Sequence, residues 1–371
     1  MDARGLVRPG LEAMQGYAAI EPIEVLEQRA GKRVVKLDGN ENPYACSPKV
    51  YGALAEYPYY HIYPDPAQAV LRQALEEYTG VSREHIVCGN GSDELIDLVL
   101  RLFLRRGDEV ISCPPTFGMY PFCTEICGGR LVNVPREGDF AIDVAAIERA
   151  LTTQTKVILI ASPNNPTGNT VSEQQVKQLV DTGRIVVVDE AYFEFSNTTL
   201  ATLVPQHANL IVLRTFSKWA GLAGLRIGYG ICPIEIANLL MKIKPPYNVN
   251  VAAEAAALAS LADLDYLRAN VAKIIAERER LLRSLKELEW LAPHPSQANF
   301  VLCSISCASD NRDESPARVV CNRLAQEAIF VRYYHSPRLE NCLRISVGRP
   351  EDTDALMAAL RGMSWVSRGV T

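Results

Sequence analysis

Between residues 85 and 231 the chain carries six short apolar runs: HIVC (85–88), EVISC (109–113), KVILIAS (156–162), RIVVVDE (184–190), NLIVLRT (209–215) and RIGYGI (226–231). They are rich in Val and Ile, and none alternates strictly between apolar and polar residues. Each therefore predicts a strand covered on both faces, as in a largely parallel sheet. Helical patterns lie between them, with SEQQVKQLVDTG (172–183) the clearest, and supply the crossovers such a sheet needs. An α/β core over about residues 68–245 follows.

After Asn250 the pattern changes. NVAKIIAERERLLRSLKEL (270–288) sets Val271, Ile274, Ile275, Leu281, Leu282, Leu285 and Leu288 on one stripe, predicting a long amphipathic helix. Strand-like NFVLCSI (299–305), IFVRYY (329–334) and CLRISVG (342–348) come next, then a helix over 352–363. The expected division is an N-terminal arm over 1–35, a large domain over 36–248 and a smaller C-terminal α/β domain over 249–371. The arm is too short and polar to fold alone and is expected to pack on the smaller domain. A chain of 371 residues suits two domains.

Charge and cysteine usage narrow the function. A net charge of −5, without a basic block or acidic tail, argues against nucleic acid and anionic membranes as partners. No apolar run approaches the roughly 20 residues of a membrane span, and MDARGLVRPGLEAMQGY lacks the apolar stretch of a secretory leader, so a cytoplasmic location is expected. The ten cysteines are scattered without a CxxC pair, and the closest, Cys123/Cys127 and Cys303/Cys307, have no histidine near them in sequence. The five histidines form no HExxH pattern. Free thiols in a reducing compartment, and no metal site, are expected.

In open α/β sheets, ligands gather at the carboxyl ends of the strands. HIVC is followed by GNGSDELIDLVL, EVISC by PPTFGMY, KVILIAS by PNNPTG, RIVVVDE by AYFEF, and NLIVLRT by FSKWAG. Singly, each has a plain structural reading beside a functional one. GNGSDE alone reads first as a helix N-cap, with an anion cradle at a helix N-terminus as its functional alternative. SPNNPTG suits an ordinary Pro-Asn-Gly turn. Asp189 suits a capped strand end, Phe117 a core position, and Lys218 a lysine bent outward. Together, one ligand accounts for all five. A phosphorylated pyridine aldehyde requires an amine, an acid for its ring nitrogen, a hydrogen-bond partner for its phenolate, an aromatic stack and a phosphate cup. Pyridoxal 5′-phosphate has that chemistry.

RPGLEAM, LDGNENPY, SPNNPTG, VVVDEAY, RTFSKWAGLAGLRIGY and CLRISVG, in that order, resemble the fold-type I pyridoxal-phosphate-dependent aminotransferases over nearly the whole chain. CPPTFGMY and the SK..GLAGLR form narrow the resemblance to the histidinol-phosphate branch. The resemblance implies an α/β fold with a mostly parallel sheet in the large domain. It also implies roles. Lys218 would condense with the cofactor aldehyde and then carry protons; Asp189 would pair with the pyridinium nitrogen. Asn165 and Tyr192 would bond the cofactor O3′, with Tyr192 counted beside Lys218 and Asp189 in the catalytic set. Phe117 and Ala191 would cover the two ring faces. Ser92, Asp93, Thr215 or Ser217, and Arg226 would form the phosphate cup.

For substrate, the resemblance points to Arg332 and Arg344 as clamps for anionic groups, with Tyr17 and Asn299 lining the pocket. Each arginine alone is equally a surface or ion-pair residue. The implied reaction is transamination between L-histidinol phosphate and 2-oxoglutarate, giving imidazole-acetol phosphate and L-glutamate, and running in reverse in histidine biosynthesis. Tyr63 matches a tyrosine that reaches the neighbouring subunit's cofactor phosphate, implying a homodimer. Phe117 stands where many relatives carry tyrosine, Trp219 follows the lysine, and an expanded 304–317 segment reads as a solvated loop. Rival readings are an aromatic amino acid aminotransferase, a threonine-phosphate decarboxylase and a non-enzymatic cofactor-binding regulator. A dinucleotide-binding protein fits poorly, because GNGSDE lacks the third glycine of GxGxxG.

Overall fold

The computed structural model describes residues 3–8, 10–14, 16–17, 19–306 and 314–363. Strand β1 (Val35–Leu37) is set apart from the seven that follow it. Those seven are β2 (Ile86–Gly89), β3 (Glu109–Ser112), β4 (Arg130–Asn133), β5 (Thr155–Ala161), β6 (Ile185–Asp189), β7 (Leu210–Thr215) and β8 (Gly228–Ile231). They form one sheet in the order β2-β8-β7-β6-β5-β3-β4. β1 instead joins β9 (Leu291–Pro293), β10 (Phe300–Ile305), β11 (Ile329–Tyr333) and β12 (Cys342–Ser346), in the order β1-β11-β12-β10-β9.

The larger sheet has the expected mostly parallel character. β4, β3, β5, β6 and β7 run parallel, and β8 is antiparallel to both β7 and β2. The reversal at β8 has a local cause: residues 216–227 hold no crossover helix, so the chain turns straight back. Apart from Lys156 and Ile185, the inner strands β5, β6 and β7 are buried along their length, as their continuous Val/Ile/Leu runs require. β1, β4 and β9 escaped the sequence reading because two are three residues long and β4 is half exposed.

The helices follow their stop and start signals. The helix expected over 172–183 runs from Glu173 to Asp181; Ser172 Oγ accepts from Gln175 N while Gln175 Oε1 accepts from Ser172 N. The long helix expected at 270–288 spans Leu264–Leu285, because Leu267 extends the Val271/Ile274 stripe one turn back. Among the described residues, no helix is long and apolar enough to cross a membrane. Residues 307–313 of the expanded segment, with Cys307, lie outside the described residues.

The N-terminal segment touches both sheets. Arg29 lies over the Phe330 ring at 5.7 Å, and Lys32 and Arg33 pair with Glu327 and Asp352 on the smaller unit. Arg8 bonds Ile126 O, and Tyr17 meets Phe117, both on the larger unit. The division expected at 35/36 runs through β1, whose residues Val35, Lys36 and Leu37 lie opposite Ile329, Phe330 and Val331. Beyond β1 the chain crosses directly between the two sheets.

Candidate functional site

The carboxyl ends of β2, β3, β5, β6 and β7 converge on this crossing. β6 ends in Asp189, which is 5% exposed. Its Oδ2 accepts from Tyr120 Oη at 3.0 Å, and its Oδ1 accepts from Ala191 N at 3.1 Å. Burial pushes the carboxyl up to about 6 despite those two donors; Asp93 and Glu190 push in the same direction. Among the described residues no basic side chain forms an ion pair with Asp189, so a buried carboxylate waits here for a cation.

Lys218 follows β7, where Thr215 Oγ1 donates to Ser217 Oγ at 2.9 Å and Ser217 N donates to Thr215 Oγ1. The Lys218 ammonium reaches across to the Gly39 carbonyl at 2.9 Å. Desolvation, then the positive charge of Arg344, brings its pKa down to about 8, with Arg226 adding to the fall and Glu41 and Asp93 opposing it. A lysine held there has a far larger neutral-amine fraction at physiological pH than an ordinary lysine.

The anion cradle lies beside it. Ser92 opens the helix Ser92–Phe103, so its amide and the others of the first turn carry no intrahelical partner. Arg226 Nη2 pairs with Asp93 Oδ2 at 2.9 Å. Gly91 has φ +81, and a Cβ there would lie 2.6 Å from Arg226 Nη2; a Cβ on Gly228 would lie 2.6 Å from Ser92 N. Both glycines are required for the arginine and the helix end to meet.

Tyr192 Oη accepts from Asn40 Nδ2 at 3.0 Å, and Asn299 Nδ2 donates to Asn40 O at 2.9 Å. Burial holds the Tyr192 phenol well above its usual range. Asn165 Oδ1 accepts from Arg344 Nη1 at 2.7 Å. The amide nitrogen of Asn165 has no hydrogen bond among the described residues. Arg344 also donates to Asp38 O, and it faces Arg332 directly across β11 and β12. Phe117 meets Tyr17 and Tyr120 edge-on, with ring centroids 6.3 and 5.7 Å away. Ala191 is partly buried just after Asp189.

Tyr63 behaves differently within a single chain. It is 78% exposed and stacks on Tyr247 at 4.6 Å, at the edge of a groove of about 760 Å³ lined by Tyr57, Tyr59, Ile62, Val70 and Leu258. None of these groove residues belongs to the cluster above. The sequence reading missed Tyr120, Gly39, Asn40 and Tyr334. LDGNENPY was a usable signal for two of them, since polar residues directly after a strand in such a sheet face the ligand edge. Tyr120 and Tyr334 each stand in a longer motif whose other residues drew attention first.

Comparison with known proteins agrees with this geometry. The family model described as aminotransferase class I and II matches residues 32–360. A histidinol-phosphate aminotransferase of Dehalococcoides mccartyi is 50% identical over 96% of this chain and 97% of its own. One from Roseiflexus castenholzii is 48% identical, covering 96% of this chain and 98% of its own. Among solved structures, the histidinol-phosphate aminotransferase of Sinorhizobium meliloti in complex with pyridoxal-5′-phosphate superposes with a TM-score of 0.85 at 30% identity, covering 95% of this chain and 96% of that one.

Proposed function

The chain belongs to the class I and II aminotransferases, and from that membership we propose that it transfers an amino group between L-histidinol phosphate and 2-oxoglutarate. The products are imidazole-acetol phosphate and L-glutamate, with the reverse direction serving histidine biosynthesis. One observation carries the substrate side: Arg332 and Arg344 face each other on adjacent strands, and Arg344 charge reaches Lys218. Amine chemistry and an anion clamp thus share one cleft.

The residues present suit pyridoxal 5′-phosphate. Among the described residues, a buried carboxylate without a counter-cation, an Asn165 amide nitrogen without a hydrogen bond, and a glycine-lined meeting of Arg226 with a helix N-terminus match a pyridinium, a phenolate and a phosphate. When bound, this group supplies an aldehyde for the amine and a ring that withdraws electrons from the carbon bearing it. With that group bound, Lys218 would be the amine presented to its aldehyde and the base that carries the proton at the substrate Cα. Asp189 holds the ring nitrogen protonated, and Asn165 and Tyr192 orient the ring from its oxygen side. Phe117 and Ala191 pack its faces. Ser92, Asp93, Thr215, Ser217 and Arg226 hold the phosphate. Arg332 and Arg344 bind the substrate anion, with Tyr17 and Asn299 beside them.

The proposal includes a second copy of the chain. Tyr63 and the apolar groove beside it are too exposed for a surface that stays in water, and a partner seated there brings Tyr63 to the other subunit's cofactor phosphate. The division into an arm, a large domain and a small domain stays part of the proposal, with β1 counted in the small unit. Nine free cysteines among the described residues suit a reducing compartment, and we place the enzyme in the cytoplasm; cell fractionation checks this.

A coupled assay with L-glutamate tests the activity, offering imidazole-acetol phosphate beside phenylpyruvate. The first is expected to be strongly preferred. Preference for phenylpyruvate would move the enzyme to the aromatic aminotransferases, and CO₂ release from threonine phosphate to the decarboxylases.

A further inference from the structure

The two tyrosines of VRYY part company at the end of β11. Tyr333 Oη lies 3.0 Å from Ser315 Oγ, the cap of the helix Pro316–Gln326. Strand alternation puts Tyr334 on the same face as Arg332, and its hydroxyl lies 3.5 Å from Asn165 Oδ1. The Arg332 and Arg344 guanidinium carbons are 5.8 and 5.9 Å from the Tyr334 ring centroid. The ring body rests on Phe140, Leu302, Leu339 and Cys342, which leaves the hydroxyl as the end facing the cleft.

We propose that Tyr334 is a specificity-determining residue whose hydroxyl donates to a substrate phosphate held between Arg332 and Arg344. This rests on the histidinol-phosphate activity proposed above. The hydroxyl's present contact, at 3.5 Å, is longer than the usual range for an O–H donor, so it is a weak bond. Its acceptor, Asn165 Oδ1, already takes a 2.7 Å bond from Arg344, so Tyr334 gives up little by turning to an anion. A phosphate monoester has three terminal oxygens and a carboxylate two. Bidentate arginine contacts saturate a carboxylate, whereas phosphate keeps an oxygen free for one more donor. Burial keeps the Tyr334 phenol above its usual range against the pull of Arg344 and Arg332, with Tyr17 adding to the rise, so it is a protonated donor that does not repel the anion. Arg344 Nε, buried and without a partner among the described residues, leaves a further N–H for the same anion.

The test compares Tyr334→Phe with wild-type holoenzyme in single-turnover and steady-state reactions, using L-histidinol phosphate and L-glutamate as separate amino donors. Tyr334→Phe is expected to lose about tenfold or more in kcat/KM for L-histidinol phosphate, mainly through KM, the scale of one hydrogen bond to a charged group. L-Glutamate kinetics stay within about twofold. Inhibition by inorganic phosphate weakens in parallel, and Tyr334→His, which keeps a donor, recovers part of the loss. Equal losses on both donors, or no change on either, overturn the assignment of Tyr334. A wild-type enzyme that does not use L-histidinol phosphate overturns the activity itself, and this assignment with it.

Discussion

Tyr120 donates its hydroxyl to the carboxylate of Asp189 at 3.0 Å, from a helix start more than sixty residues earlier in the chain. Phe117 packs edge-on against the Tyr120 ring and fixes it from the cleft side. The phenol is one of two donors opposing the desolvation that raises this acid. Tyr120→Phe is therefore expected to raise the Asp189 pKa further. Cofactor affinity, read as fluorescence quenching of the apoenzyme, falls about tenfold, as expected for a charge-assisted hydrogen bond. An unchanged affinity and an unchanged carboxyl band in infrared titration would rule the role out.

Asp189 also sets a pH dependence for the apoenzyme. An unfolded aspartate titrates near 3.9, and Asp189 in the fold titrates at about 6. Between those values the unfolded chain has lost a proton that the folded chain retains, so stability falls as pH rises from about 4 to 6. The expected loss is on the order of 3 kcal/mol. Asp189→Asn is expected to melt higher than wild type in the apo form at pH 8, to show little such gain near pH 4, and to bind cofactor more weakly. Calorimetry at the two pH values checks the sign.

Lys218 gives a second pH signature. With its pKa near 8, cofactor uptake by the apoenzyme should accelerate as pH rises through a midpoint near 8 and level off above it. Removing the neighbouring guanidinium in Arg344→Gln is expected to move that midpoint upward. Lys218→Ala is expected to lose at least about 10³-fold in turnover. It should also yield no borohydride-fixed cofactor at position 218 by mass spectrometry.

Behind the cleft, Arg214 and Glu190 form a pair 3.0 Å apart with side chains only 4% and 1% exposed. The guanidinium lies 3.5 Å over the Phe193 ring, and Glu190 also accepts from Leu200 N at 2.6 Å and Thr199 Oγ1 at 2.8 Å. Arg214→Met leaves this carboxylate buried and unpaired, with an expected cost of about 3–5 kcal/mol. Urea unfolding measures it, and the double variant with Glu190→Gln should recover part of the loss.

Val70 is 60% exposed and lines the apolar groove near Tyr63. A charge placed there leaves the core of one chain intact but opposes a second chain. Val70→Glu is expected to shift light scattering from dimer to monomer and to depress activity with it. A fully active monomer would separate Tyr63 from catalysis.

The continuous Val/Ile runs made the larger sheet legible, because strands covered on both faces leave little freedom in composition. Lys218, Asp189 and Asn165 were legible as candidates for a related reason: each lies at or just past the carboxyl end of such a strand. What stayed hidden depends on pairing between distant segments. Nothing near Val35–Leu37 announces a partner at Ile329–Val331. Tyr120 reads as one more aromatic in a helix until its hydroxyl is seen on Asp189. The reversed direction of β8 comes from a loop too short for a crossover, a property of geometry more than of composition.

The bond between β1 and β11 also has a consequence for synthesis. About 290 residues separate the two strands, and at typical translation rates of roughly 5–20 residues per second the first must wait some fifteen seconds to a minute for the second to leave the ribosome. Residues 38–41, which reach both Lys218 and Arg344, lack their β1 anchor and the Arg344 contact through that interval. Nascent chains halted before position 329 should therefore hold a folded larger sheet and no competent cleft.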